Sequence, residues 1–354
     1  MVECQIRPYL LVVKLHIKME NSNKIVPPHL NAEVYRTDTT GTSTMFYLDY
    51  LRIHEDGSTL IGCSELTGRY WNGAADVFKS VNEAGQRQKS EKRAINLQSG
   101  TSDGCFVNSS KKILLCEDSG AVSIWCTSDE DQHNAWHQWT EEVSAAEHDN
   151  AALAVDCLSP DAEYVTVGAD GHGKVWDIER MICIRNYSAA HSKPIYGVSV
   201  RPNSNTDFAT CSMDQYVSLW DQNVDKPVLD LYQNNCGVRC LQWIDVNKII
   251  FGDEAGILSI VDVRSLETTL NITEFPAAIH KIAIHPECNK VAVCCDNKTV
   301  TVCDISEDTK VKTTYQKSQA HNNFVRGVAW DVKDDKILHS LGWDGEIKSH
   351  TVMC

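Results

Sequence analysis

The feature that most constrains this chain is a short strand-like segment, ending in Trp-Asp or a worn form of it, that returns along the sequence. It reads Ser123-Ile-Trp125, Lys174-Val-Trp-Asp177, Ser218-Leu-Trp-Asp221, Ser259-Ile-Val-Asp262 and Thr301-Val-Cys-Asp304, with fainter members ending near Phe78 and His350. The Trp or its replacement falls at 78, 125, 176, 220, 261, 303 and 350, giving steps of 47, 51, 44, 41, 42 and 47 residues. Such a period holds four short antiparallel strands and their turns. The unit around Trp220 shows the grammar: Ile195-Tyr-Gly-Val-Ser-Val200, a turn, Phe208-Ala-Thr-Cys211, the turn at Met213-Asp-Gln215, then Val217-Ser-Leu-Trp220. One such sheet cannot bury both faces. Seven arranged radially can, because each packs on its neighbours and ring closure leaves few bare edges. An all-β, seven-bladed β-propeller is therefore expected over residues 30–354, with residues 1–29 as an N-terminal extension outside the ring.

The period and the Trp-Asp marks resemble those of WD-repeat proteins. That resemblance implies a buried hydrogen-bond chain in the fourth unit, in which the Trp220 indole donates to Ser212, Ser212 to His191, and His191 to Asp214. The third unit offers His148, Asp170 and Trp176 without an evident hydroxyl, and the seventh offers His321 and Asp344 with His350 in place of Trp. Lys79 to Asp103 and Thr127 to Asp149 read as long connections. The chain stops just after the third strand of the last blade, and a segment near Leu30 to Asp38 is expected to supply the missing outer strand.

Composition narrows the partners. The formal net charge of the 354 residues is -15, which disfavours nucleic acid or an anionic membrane and favours basic protein partners. The 15 cysteines are odd in number and many sit in apolar runs such as Val291-Ala-Val-Cys-Cys295, as expected of buried thiols in a reducing compartment. No CxxC pair occurs, so no metal or other cofactor is expected. Tyr9 to Ile17 is too short to span a membrane. The expected location is the cytoplasm and nucleus.

Chemistry is not evident. His191, Ser212 and Asp214 contain the residue types of a hydrolytic triad, but the buried network explains them and parts of it recur in other units, whereas a triad occurs once and faces a pocket. There is no GxxxxGK[ST], HExxH or GxSxG. The chain is expected not to be an enzyme. One loop resists a purely structural reading: Leu66-Thr-Gly-Arg-Tyr-Trp-Asn-Gly73 falls where other blades have a tight turn, and it carries Arg69, Tyr70 and Trp71 between glycines. Arg and aromatics are the composition of an interface anchor. Phe324 and Arg326, in Ala320-His-Asn-Asn-Phe-Val-Arg326, form a second candidate.

The segments Leu60 to Gly73, Asp118-Ser-Gly-Ala-Val122, Phe251-Gly-Asp-Glu-Ala-Gly256 with Ser259-Ile-Val-Asp262, and Ala320 to Arg326 with Gly342-Trp-Asp344 resemble the WD-repeat subunits of the methylosome. The resemblance runs, with gaps, from about Phe46 to Val352. It implies an adaptor that binds a type II protein arginine methyltransferase in a hetero-oligomer and helps present basic, Arg-rich proteins, histone tails and Sm proteins, for symmetric dimethylation. It also implies that Trp71 enters the methyltransferase's N-terminal barrel domain and that Phe324 lies at the same contact. The alternative from the residues alone is a WD-repeat substrate receptor of a ubiquitin ligase or chromatin complex.

Overall fold

Strands buried on both faces are mostly apolar, and the second strands of blades 5 and 6 show it. Lys290–Cys295 is buried along its whole length, and Lys248–Asp253 from its second residue on. Strands at the rim read differently, and Lys312–Lys317 is almost wholly exposed. A computed structural model describes residues 45–353, apart from 68–69, 87–92, 128–138, 160–161 and 307–310. It arranges these strands as seven separate antiparallel sheets, giving the seven-bladed WD-repeat propeller that the period predicts.

The blades begin at Met45–Ile53, Thr101–Val107, Ala152–Ser159, Ile195–Val200, Val238–Trp243, Ile279–Ile284 and Val325–Trp330, and these innermost strands line the channel. Blades 1 to 6 have four strands, and blade 7 has three among the described residues, ending in Ile347–Thr351. The segment Leu30 to Asp38, expected to complete blade 7, lies outside the described residues, as does the extension 1–29.

Each blade meets the next through its own apolar cluster. Leu114, Val155 and Trp176 join blades 2 and 3; Val167, Val198 and Trp220 join blades 3 and 4. The ring closes where Leu48, Leu51 and Ile61 of blade 1 pack on Leu341 of blade 7. Burial of this kind stabilises by about 25 cal/mol per Å² of apolar surface, so the ring is held by many equivalent interfaces rather than by one centre.

Two connections prove more structured than their sequence suggests. Residues 79–103 contain a short helix, Val81–Gln86, and the outer strand of blade 1, Ile95–Leu97. Residues 127–149 contain the outer strand of blade 2, Trp139–Ala146, with Trp139 buried. Rim strands face water on one side and carry polar residues, so their pattern resembles that of a loop.

Candidate functional site

The innermost strand of every blade carries one extra residue opposite its neighbour. Pairing skips Asp49, with Leu48 opposite Cys63 and Tyr50 opposite Gly62. In the same way it skips Ser102, Leu153, Tyr196, Arg239, His280 and Arg326. A bulge of this kind bends the strand and re-aims the unpaired side chain. All seven point into one cavity of about 470 Å³ at a mouth of the channel, with Trp71 and Trp343 on its wall. Ions also line this cavity: Asp103 of blade 2 takes Arg52 of blade 1 at 2.7 Å and faces Lys281 of blade 6 at 3.8 Å. Burial pushes the Asp103 carboxyl upward, but Arg52 and Lys281 outweigh it and hold it below its ordinary range.

At this mouth the two candidates from the sequence come together. Strands Thr59–Thr67 and Tyr70–Phe78 form a long hairpin in which Thr67 pairs with Tyr70. The expected loop is thus mostly an extended strand pair. Its tip, with Arg69, lies outside the described residues, and only the backbone position of Tyr70 is described. Trp71 stands on the hairpin 56% exposed, against 2% for the core Trp220. Its ring lies 5.6 Å from Tyr47, Tyr47 lies 5.7 Å edge-on to Trp343, and Trp343 lies 5.9 Å from Phe324, which is 37% exposed. Tyr47 and Trp343 complete a continuous aromatic patch across blades 1 and 7. Neither was singled out from sequence, because no local signal places residues so far apart side by side.

Arg326 is turned inward. Its guanidinium lies 3.9 Å over the Trp343 ring and 5.3 Å from that of Phe324. It donates to Asp296 Oδ1 at 2.9 Å and to His280 Nδ1 at 3.1 Å. Burial pushes His280 well below its ordinary value, and the positive charges of Arg326, Lys281 and Arg239 push it further, so the ring is neutral and free to accept. Beneath the patch, Asp49 accepts from the Trp343 indole at 2.9 Å and from Ser64 at 2.6 Å. Burial raises its pKa to about 6 against those two hydrogen bonds.

The buried network in blade 4 corrects the sequence reading at one atom. The Trp220 indole donates to Thr210 Oγ1 at 2.8 Å, Thr210 lies 2.8 Å from His191 Nε2, and His191 Nδ1 lies 2.9 Å from Asp214 Oδ2. Ser212 is not the link. Its hydroxyl donates to the carbonyls of Lys193 and Pro194 and accepts from the Asp214 backbone. The reason is register: Trp220 sits opposite Phe208, and Thr210, two residues along the same face, falls beneath the indole, whereas Ser212 has run on to the turn.

Blade 3 repeats the network with a hydroxyl after all, Thr166, between Trp176 at 2.7 Å and His148 at 2.9 Å. Blade 7 runs from His350 through Ser340 to His321 and Asp344. There Tyr315 lies 3.0 Å from His350 Nδ1; with Tyr315 donating to that nitrogen, His350 Nε2–H imitates an indole N–H toward Ser340. Burial and neighbouring charges, Lys317 first, lower the His350 pKa to about 4, which keeps the ring in that neutral form. These trios are buried and repeated, and they serve the blades.

The sequence matches the family described as WD domain, G-beta repeat over residues 142–177 and 181–221. By sheet count, repeat and buried network, the chain is a WD-repeat β-propeller. It is similar to Methylosome protein WDR77 of Xenopus laevis, 26% identical over 310 residues that cover 85% of this chain and 88% of that protein. It is also similar to the guanine nucleotide-binding protein subunit beta of Saccharomyces cerevisiae, 27% identical over 114 residues, 30% of this chain and 27% of that protein. The first similarity spans most of both chains, and the resemblance to methylosome WD-repeat subunits stands. Fold and relative together support a WD-repeat adaptor of the methylosome type.

Proposed function

We propose that this chain is a non-catalytic adaptor that binds a type II protein arginine methyltransferase and helps present Arg-rich proteins, such as histone tails and Sm proteins, for symmetric dimethylation in the cytoplasm and nucleus. The observation that carries this reading is the exposed Trp71 at the end of a hairpin longer than its counterparts, joined through Tyr47 and Trp343 to Phe324. A large indole left in water has little use to its own blade, and Trp is among the residues most enriched at the energetic centres of interfaces. Trp71 is the anchor and Phe324 its flank. The net charge of -15 suits a basic substrate held nearby.

Replacing Trp71 by Ala removes surface without opening a core, so the variant folds and its melting temperature matches wild type. Its affinity for the purified methyltransferase, measured by calorimetry, drops about a hundredfold. Unchanged affinity contradicts the reading. Capture of ubiquitin-ligase subunits in place of the methyltransferase would favour the receptor alternative.

A further inference from the structure

We infer that Asp296, in the turn after the second strand of blade 6, is a positioning residue for the anchor patch on blades 7 and 1; this rests on the reading of that patch as the methyltransferase contact. Asp296 stands between two guanidinium groups delivered by the bulges of neighbouring blades. Oδ2 accepts from Arg239 of blade 5 and Oδ1 from Arg326 of blade 7, each at 2.9 Å. Arg239 is braced in turn over the Tyr196 ring of blade 4 at 5.4 Å, and His280 of blade 6 accepts a further hydrogen bond from Arg326. The result is a polar arc along one side of the channel mouth that ends on an aromatic face.

That end is where the arc acts. The Arg326 side chain is 12% exposed, and its guanidinium is closer to the Trp343 ring than to any other ring. Trp343 is therefore gripped from two sides, by a cation on its face and by Asp49 on its indole N–H, and it is the common neighbour of Tyr47 and Phe324. Holding Trp343 holds the floor on which Trp71 and Phe324 stand. Long Arg side chains lose considerable entropy when fixed. A shared carboxylate that fixes two of them at once holds this one over the ring at 3.9 Å, where a cation–π contact contributes. The Asp296 carboxylate itself accepts from Arg239 and Arg326, so its effect on the patch passes through Arg326.

Asp296→Asn keeps the shape and removes the charge. Expected is about a tenfold loss of affinity for the purified, full-length methyltransferase, with the melting temperature of the free chain little changed. The effect must pass through Trp343. In a Trp343→Ala background, which itself weakens binding, Asp296→Asn costs less than about twofold more, whereas a general structural role would add its full loss again. Asp296→Ser supplies a second route should Asp296→Asn fold poorly, because it removes the carboxylate that both guanidinium groups share, and it loses affinity to a similar extent.

Wild-type affinity for a folded Asp296→Asn, or for Asp296→Ser where Asp296→Asn fails to fold, or losses that simply add in the Trp343→Ala background, overturns the inference. Trp71→Ala, run alongside, separates the two levels. If Trp71→Ala binds as wild type, the contact itself is misplaced. If Trp71→Ala fails to bind while Asp296→Asn binds normally, the contact stands and the positioning role falls.

Discussion

At the scale of single residues, the recurring His, Asp and Trp are visible in sequence because they are uncommon and evenly spaced. The hydroxyl that joins them is not. Blade 4 contains Thr206, Thr210, Ser212 and Ser218 within reach of the same strands, and only the pairing of Phe208 with Trp220 decides that Thr210 is the link. One regularity would have found it: the hydroxyl stands ten residues before the Trp or its replacement in Thr166 and Trp176, Thr210 and Trp220, and Ser340 and His350. Thr210→Val leaves an indole N–H and an imidazole nitrogen without partners in a buried site, at a cost of about 2 kcal/mol. Ser212→Ala loses hydrogen bonds only to backbone groups beside a turn and costs about 1 kcal/mol. Urea denaturation of the two variants checks the order, and a larger loss for Ser212→Ala would return the network to its sequence-based form.

At the scale of elements, hairpins and inner strands are legible because turn residues and apolar runs alternate with the right lengths. The bulges are invisible. A bulge is a property of two strands in register, and nothing in Ile195-Tyr-Gly or Val238-Arg-Cys says which residue is the extra one. Yet those bulges put Tyr196, Arg239, His280 and Arg326 around one mouth. The Trp71 segment reads as a loop for a related reason, since a strand pair projecting beyond its blade has no core to impose alternation. Turns between inner strands are strictly built. Gly171 adopts φ +76°, and a Cβ there would lie 2.5 Å from the His191 carbonyl oxygen, where the chain enters blade 4. Gly171→Ala therefore destabilises by about 2 kcal/mol. Gly85, in the short helix with open space around it, serves as the control. Gly85→Ala is neutral or stabilising by up to about 1 kcal/mol. Thermal denaturation reads both, and similar melting temperatures would show that the turn has slack this account denies it.

At the scale of the whole molecule, the period in the sequence specifies seven blades, and closure of the ring does the rest. Trp71 and Phe324 belong to opposite ends of the chain, and they share a patch only because blade 7 packs on blade 1 through Leu48, Leu51 and Leu341. The excess of acidic residues, 48 against 33 basic, is a total over the whole chain, which is why charge alone pointed to a kind of partner and not to a place. The place is the central claim. A photoreactive benzoylphenylalanine in place of Trp71, irradiated in the full-length chain with the purified methyltransferase, tests it directly, with the same probe in place of the exposed rim residue Ile184 as the comparison. The account predicts crosslinks into the methyltransferase from position 71 and none from position 184. Crosslinks from position 184 with none from position 71 would contradict it.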